Sequence, residues 1–428
     1  MNIDSQTNVL IKQAQVAHDA ANWSLLIQCL QQLQETALLK SAPEQLLDLA
    51  IAVLEFGDFH QRWEIAKVFP KLGQCAINPL IEILEDEDVD EEMRWYAARI
   101  LGEFHDPAAI TALVELLKIS DNEELSAMAA AALGQIGSPS VAALTELLAE
   151  EDTRLLAVRS LSHIRRSETI TPLLSVVHDA QVAVRTAAIE ALSSFHDPRI
   201  PPVLLNALND LAAPVRRQAV TGLSFRPDLR EELALVNQLA PRLYDFNLDV
   251  CCSAAIALGR LGTDAAATAL YQVLHQNTAV VQLEIVRALG KMGTATGLEY
   301  LRLSLNQQLS VTVREEIATV LGRVEQPDLK AQAADIVVQM LSSNSVTQQE
   351  SVKQALALAL GRLGEIQAID DLIQMLADPD TGVRLHAIAA LKQLAPEVHQ
   401  QLEQMAEDEA LAADLQRGVA IALQEWWR

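Results

Sequence analysis

The chain has 428 residues, of which 50% are hydrophobic but only 4% aromatic, and its formal net charge is −25. A field of that sign repels the phosphate backbone, so we expect no nucleic-acid partner. The four cysteines show no Cys-x-x-Cys spacing, which predicts reduced thiols and no metal site. The sequence starts without a basic and apolar leader and has no membrane-length apolar run, which predicts a cytoplasmic protein without membrane insertion.

Residues 1–57 have the apolar spacing of helices but lie outside the repeat that follows, so we expect an N-terminal helical cap. From residue 58 onward a Leu-Gly dipeptide closes one helical segment after another. It occurs at Leu101-Gly102, Leu133-Gly134, Leu258-Gly259, Leu289-Gly290, Leu321-Gly322 and Leu360-Gly361. Phe69, Leu161, Leu192, Leu223 and Leu391 occupy the same place in other segments, and the spacing varies from 28 to 39 residues.

A period of this length indicates stacked helical hairpins. The sequence therefore predicts an all-α, right-handed α-solenoid of about eleven hairpins over residues 58–408. A last helix over 409–428, ending in Trp426-Trp427, would cap the array. We expect the glycine of each Leu-Gly dipeptide to end its helix as a C-terminal cap.

The least generic feature of the first hairpins is their aromatic content. Arg62-Trp63 and Arg94-Trp95 lie 32 residues apart, one repeat, and Trp95 is followed by Tyr96. Scarce aromatic residues at equivalent positions of adjacent hairpins would form a local platform able to anchor a partner or a planar ligand. Alternatively, they fill the junction between cap and repeats. Trp63, Arg94, Trp95 and Tyr96 are the candidate contact residues.

An acidic turn follows the first of these aromatic segments, with seven acids among the eight residues 85–92. A solvated turn whose last acids favour the start of the next helix explains it. Weak binding of a divalent cation is a further possibility. A third possibility is a docking site for a basic partner, formed by Glu85, Asp86, Glu87, Asp88 and Asp90.

A basic residue lies seven positions before the leucine or phenylalanine that closes each helical segment, in a series that we call the basic ladder. Its members are Arg62, Arg94, Arg154, Arg185, Arg216, Arg314, Lys353 and Arg384, and only Ser126, Cys251 and Gln282 interrupt it. A residue type repeated in this way is expected to bond carbonyls and acids of neighbouring hairpins. The alternative is a row of cations that meets carboxylates of a partner.

Two of the four His-Asp pairs precede proline, at His105-Asp106-Pro107 and His196-Asp197-Pro198, where Asp-Pro predicts a helix start. Diiron deoxyhypusine hydroxylases, which are built from helical repeats, use His-Glu pairs, and this chain has none. Two longer spacings place extra residues around Arg226–Glu232 and Ser342–Gln349. These are expected to be surface insertions; the second could instead act as a hinge or contact a partner.

The phrase Val-Arg-x-x-Ala-x-x-x-Leu, as at Val215-Arg216 to Leu223, resembles the short HEAT repeat. The segment Arg94-Trp95-Tyr96-Ala97-Ala98, which continues to Leu101-Gly102, resembles the E/F-type bilin lyases that give the phycobilisome-lyase-like HEAT repeats their name. That resemblance implies a groove holding a linear tetrapyrrole, with Arg94, Trp95 and Tyr96 as bilin contacts and phycobiliprotein subunits as partners.

Neither a catalytic triad nor a phosphate-binding glycine loop is present in the sequence. The sequence therefore favours a non-catalytic protein-binding scaffold or assembly factor that needs no cofactor. The alternative is a bilin lyase, isomerase or chromophore chaperone of phycobiliproteins, so the sequence leaves enzymatic activity open.

Overall fold

The computed structural model describes residues 3–33, 43–342, 349–394, 398–408 and 410–426, and every regular element within these ranges is a helix. The predicted all-helical class is thereby confirmed. Contacts divide the chain into two compact units, Met1–Ile200 and Pro201–Arg428. Residues 343–348 of the second predicted insertion, and Trp427 of the predicted cap, lie outside the described residues.

The first unit contains thirteen described α-helices. They are α1 (Ile3–Asp19), α2 (Trp23–Leu33), α3 (Pro43–Phe56), α4 (Phe59–Ala66), α5 (Phe69–Leu72), α6 (Ile77–Glu85), α7 (Glu91–Leu101), α8 (Pro107–Ile119), α9 (Glu123–Ile136), α10 (Val141–Leu147), α11 (Arg154–Ile164), α12 (Ile170–Ser175) and α13 (Val182–Leu192).

The second unit contains fourteen described α-helices. They are α14 (Ile200–Ala207), α15 (Ala213–Ser224), α16 (Leu235–Leu239), α17 (Leu248–Leu261), α18 (Asp264–Leu274), α19 (Ala279–Lys291), α20 (Ala295–Ser304), α21 (Val311–Leu321), α22 (Pro327–Leu341), α23 (Glu350–Leu363), α24 (Ile369–Gln374), α25 (Thr381–Leu394), α26 (Val398–Ala406) and α27 (Ala413–Glu425).

Within each unit the second helices of successive hairpins pack side by side. In the first unit α7 contacts α9 and α9 contacts α11, and in the second unit α17, α19, α21, α23 and α25 form the same series. The leucine of every Leu-Gly dipeptide is fully buried. Burial of these apolar side chains between neighbouring helices provides the main stabilisation of such a stack.

The predicted cap role of the Leu-Gly glycine holds for Gly102 and Gly322, which end α7 and α21. The other four lie inside their helices and act by packing: a Cβ atom at Gly361 would lie 2.8 Å from the Cα of Ala390 on the next second helix. In these hairpins a second glycine, three residues later, lies at the helix end. Gly262 and Gly364 have left-handed backbones, with φ of 62° and 72°, and donate their N–H groups to Leu258 and Leu360.

In four hairpins the basic ladder ties the hairpin turn to its own second helix. Arg216 Nη1 donates to the carbonyl of Asp210, six residues earlier, at 2.8 Å. The same donor-to-carbonyl spacing occurs for Arg154 with Leu148 (2.7 Å), Arg185 with Asp179 (2.8 Å) and Arg384 with Asp378 (2.7 Å). Two of the interruptions keep this bond, from Ser126 to Ser120 O at 3.4 Å and from Cys251 Sγ to Asp245 O at 3.1 Å.

The ladder also joins neighbouring hairpins through carboxylates. The ion pairs are Arg62 with Asp90 at 3.2 Å, Arg154 with Asp179 at 2.6 Å, Arg216 with Asp245 at 2.6 Å and Lys353 with Asp378 at 2.5 Å. The basic ladder therefore makes the contacts that we expected, to carbonyls within a hairpin and to acids of the next hairpin.

Of the two predicted Asp-Pro helix starts, one is confirmed and one is wrong. Asp106 caps α8 by accepting a hydrogen bond from Ala108 N at 2.8 Å. Asp197 does not cap a helix, because α14 begins at Ile200 and the Asp197 carboxylate binds Arg199 instead. The insertion at 226–232 packs on its own unit, since Arg230 Nη1 donates to Leu261 O at 3.2 Å.

Candidate functional site

Two exposed aromatic side chains stack on one face of α4. Asp58 begins this helix with a capping box, in which its carboxylate accepts from Gln61 N and Gln61 Oε1 accepts from Asp58 N, both at 2.9 Å. Phe59 and Trp63 are therefore placed one helical turn apart, with ring centroids separated by 6.5 Å and planes 20° apart. Phe59 is 63% exposed and Trp63 is 37% exposed.

Residues of α7 support both rings from the next hairpin. The hydroxyl of Tyr96, a fully buried side chain, donates to Phe59 O at 3.0 Å, and the two rings meet edge to face at 6.0 Å. Burial raises the pKa of the Tyr96 phenol, which keeps it protonated and able to donate. The Arg99 guanidinium carbon lies 3.9 Å from the Trp63 ring centroid, a cation–π contact. We call Phe59, Trp63 and Arg99 the aromatic surface.

The structure separates the four residues that the sequence grouped as a platform. Trp63 belongs to the aromatic surface, whereas Tyr96 supports it from inside the fold. Arg94 is half-buried and its Nε donates to Leu84 O at 3.0 Å, a contact internal to its hairpin. Trp95 is half-buried and meets Tyr96 edge to face at 5.1 Å.

Sequence reasoning missed Phe59 and Arg99, although each left a signal. Phe59 directly follows the helix-capping Asp58 and precedes Trp63 by four residues, the spacing at which side chains meet on a helix. Arg99 lies one helical turn beyond Trp95, on the helix that packs next to α4. Its pairing with Trp63 spans 36 residues of sequence, which only packing reveals.

The acidic turn connects α6 to α7, and all five of its candidate residues are exposed. Asp90 is engaged, because it shares Arg62 with Glu92, at 3.2 and 2.8 Å. Asp86 accepts a hydrogen bond from Asp88 N at 2.9 Å and so shapes the turn itself. The carboxylates of Glu85, Glu87 and Asp88 have no partner among the described residues.

The second unit exposes two apolar side chains at equivalent hairpin turns. Leu211 and Phe246 are 100% and 104% exposed. Arg216 links the two turns, since it donates to Leu211 O at 3.0 Å and to both oxygens of Asp245, next to Phe246.

Among the described residues no single helix has the length and apolar composition to cross a membrane. The helices Glu123–Ile136 and Ser138–Leu147, which meet at a bend of 116°, have that length and composition only when they are taken together.

Comparison with known proteins extends the fold assignment. No curated protein sequence matches the chain. Importin β, crystallised in an ammonium sulfate condition, aligns over 99% of the chain and 65% of its own length, with 15% identity and a TM-score of 0.53. Kap95 in its complex with Nup1 aligns over 99% of this chain and 67% of its own, with 16% identity and a TM-score of 0.55.

At these identities the similarity concerns the fold alone, and the chain spans about two thirds of the length of importin β, 65%. The family model described as HEAT repeats matches residues 77–155, 141–224, 236–322, 298–392 and 334–424, well over half of the sequence. The chain belongs to the HEAT-repeat family.

Proposed function

We propose that this protein is a scaffold or assembly factor that binds other proteins, performs no chemistry of its own and uses the aromatic surface as a principal contact. The observation that carries the proposal is the exposure of Phe59 and Trp63 on supports that hold them in place. Aromatic and arginine side chains dominate the binding energy of protein interfaces. Rings that are fixed before binding lose little conformational entropy when a partner covers them.

The family supports the same function. A HEAT-repeat fold is typical of protein-binding proteins, because stacked hairpins present an extended surface instead of a closed pocket. Kap95, similar in fold to this chain, is solved in a complex with Nup1. Leu211 and Phe246 supply a second exposed apolar contact, and Glu85, Glu87 and Asp88 would meet a basic region of a partner.

Replacing Phe59 and Trp63 together by alanine should weaken binding of a captured partner by about a hundredfold. Loss of an interface anchor costs about 2 kcal/mol or more, and 1.4 kcal/mol corresponds to tenfold in affinity. The partner is first captured with the full chain, and its affinity is then measured by calorimetry. Thermal melting is followed in parallel, because Trp63 is only 37% exposed and its removal should also cost some stability.

Ile119→Ala is the matched control, because Ile119 is 61% exposed in the same unit but lies outside the aromatic surface. It should leave the affinity unchanged. Unchanged affinity of the Phe59→Ala/Trp63→Ala variant would remove the aromatic surface from the binding site. Loss of binding only in proportion to the fraction of unfolded protein would assign the two rings to the hairpin junction instead.

The bilin lyase or chromophore chaperone is a second candidate, favoured by the Arg99–Trp63 contact at 3.9 Å. A ring with an adjacent guanidinium would suit a planar tetrapyrrole carrying propionates. However, two of the residues matched to that family, Arg94 and Tyr96, are engaged inside the fold.

Titration with phycocyanobilin and phycoerythrobilin separates the two candidates. For a scaffold we expect no saturable change in the visible absorbance of the bilin and no quenching of tryptophan fluorescence. Saturable binding that disappears in Trp63→Ala, while Ile119→Ala still binds, would instead establish the tetrapyrrole function.

A further inference from the structure

A second series of cations runs along the second unit, distinct from the basic ladder. In the first unit the residue that follows Leu-Gly is Glu103 or Gln135. In four successive hairpins of the second unit it is always basic: Arg260, Lys291, Arg323 and Arg362. We call these four residues the cationic row. Its regularity stands out because the whole chain carries a net charge of −25.

Three members of the cationic row line one cleft of ≈ 740 Å³ formed by α17, α19 and α21. Arg287 on α19 adds a fourth cation. Between the cations lies the apolar side chain of Ile256, which is 41% exposed, whereas the Val320 side chain beside it is buried. The cleft therefore offers positive charge and apolar contact side by side.

The cations of the cleft differ in whether acidic side chains of the protein already neutralise their charges. Arg287 is neutralised by Glu284 at 2.6 Å and Glu316 at 2.9 Å. Arg260 keeps its charge uncompensated by an acid, since it donates to Ser224 Oγ at 2.8 Å and lies over the Phe225 ring at 4.7 Å.

The side chains of Lys291 and Arg323 are exposed, and neither makes a hydrogen bond or ion pair with any residue that the structure describes. Their charges are therefore available to a ligand. Cations at helix C-termini also interact favourably with the helix dipole, and Lys291 is the last residue of α19. That interaction explains one cation at each helix end, but it does not require three of them to line the same cleft.

We propose that this cleft binds an extended acidic peptide segment with apolar side chains, carried by a partner protein. The inference rests on the proposed scaffold function and adds the chemistry of one partner. Carboxylates of the peptide would pair with Lys291 and Arg323, and its apolar side chains would pack on Ile256. A nucleic acid suits the cleft less, because Glu284 and Glu325 also line it. A backbone with a phosphate at every nucleotide would meet these acids, whereas a peptide can place apolar side chains between its carboxylates.

The test is titration of the full chain with a fluorescein-labelled peptide in which glutamates alternate with leucines, followed by fluorescence anisotropy. The Lys291→Gln/Arg323→Gln variant should bind about tenfold more weakly, because it removes two of the three charges in the cleft that have no acidic partner. Arg302→Gln/Lys330→Gln removes the same charge from the same unit outside the cleft. This control should bind within about twofold of the unchanged protein.

Raising the salt concentration should weaken binding to the unchanged protein more steeply than binding to the Lys291→Gln/Arg323→Gln variant. Circular dichroism melting checks that each variant is folded, and Lys291→Glu alone provides a second test if the double variant is not. Equal weakening in the cleft variant and its control would overturn the assignment. So would tighter binding of a peptide with lysines in place of the glutamates, or of a single-stranded oligonucleotide.

The two levels of the proposal can fail separately. If the peptide does not bind while Phe59→Ala/Trp63→Ala loses a captured partner, only the cleft assignment fails. If the peptide binds through Lys291 and Arg323 while no protein partner is captured by the full chain, the cleft stands and the scaffold function loses its support.

Discussion

Replacing Arg216 by alanine should lower the free energy of unfolding by about 3–5 kcal/mol. Its side chain is only 13% exposed and its guanidinium contacts both oxygens of Asp245, at 2.7 and 2.6 Å, and the carbonyls of Asp210 and Leu211. The Asp245 side chain is 5% exposed. Removal of Arg216 would leave a buried carboxylate without its counter-charge. Urea unfolding followed by far-ultraviolet circular dichroism measures the loss.

Two matched variants test the cause. Arg302→Ala removes an exposed ion pair with Glu299 and should cost less than about 1 kcal/mol. Adding Asp245→Asn to Arg216→Ala should recover part of the loss, because the remaining side chain is neutral. No recovery in the double variant would show that Arg216 stabilises the protein through its carbonyl hydrogen bonds and packing and not through the ion pair.

The cost of Arg216→Ala should also depend on pH. Burial alone would raise the pKa of the Asp245 carboxyl, but hydrogen bonds from Arg216 and from Asn247 N outweigh burial and lower it below its ordinary value. A carboxyl with a lowered folded-state pKa stabilises the protein above its unfolded pKa of about 3.9. That stabilisation is lost as the pH falls through the folded-state pKa. The difference between the unchanged protein and Arg216→Ala should therefore narrow below about pH 4, and a constant difference would contradict the ion-pair explanation.

Gly361→Ala should destabilise the protein by about 2–3 kcal/mol, although the same change in an isolated helix stabilises by about 1 kcal/mol. The added methyl group would lie 2.8 Å from both the Cα and the Cβ of Ala390. Ala390 is 2% exposed and belongs to α25, so neither helix can move aside cheaply. The urea midpoint measures the change. An increase in stability would show that helix propensity, and not the close approach of α23 and α25, controls this position.

Gly364→Ala, three residues later, is the matched control. A methyl group there would meet nothing within 4 Å, but the backbone φ of 72° is unfavourable for alanine. We expect a loss of about 1–2 kcal/mol, arising from backbone strain alone. A loss at Gly364 larger than that at Gly361 would reverse the roles that we assign to the two glycines.

How far the sequence predicts the candidate site depends on the range of the contacts involved. Trp63 was identified because aromatic residues are scarce and a second Arg-Trp pair lies one repeat away. Tyr96 is predicted as a contact residue on the same grounds, yet its side chain is buried and supports Phe59. The sequence around Tyr96 does not indicate the direction of its ring, because that direction depends on how α7 packs against α4.

The repeat, the helices and the ladder could be predicted because they depend on local patterns. Apolar residues at helical spacing define each hairpin, and the fully buried leucines of the Leu-Gly dipeptides follow from that spacing. The ladder residue bonds a carbonyl six positions away, so its role repeats wherever the hairpin repeats. Local geometry of this kind is present in the sequence itself.

Only the tertiary structure decided the functions of Gly361, Arg99 and Lys291. Glycine is needed at position 361 because Ala390 lies against it. Arg99 contacts Trp63 from the next hairpin. Lys291 has no acid beside it, whereas Arg287 has two. Each of these facts depends on residues about one repeat apart in sequence, or on which side chains a cleft brings together. Apolar periodicity determines which faces are buried, but the packing of one hairpin on the next determines which polar and aromatic side chains remain available for binding.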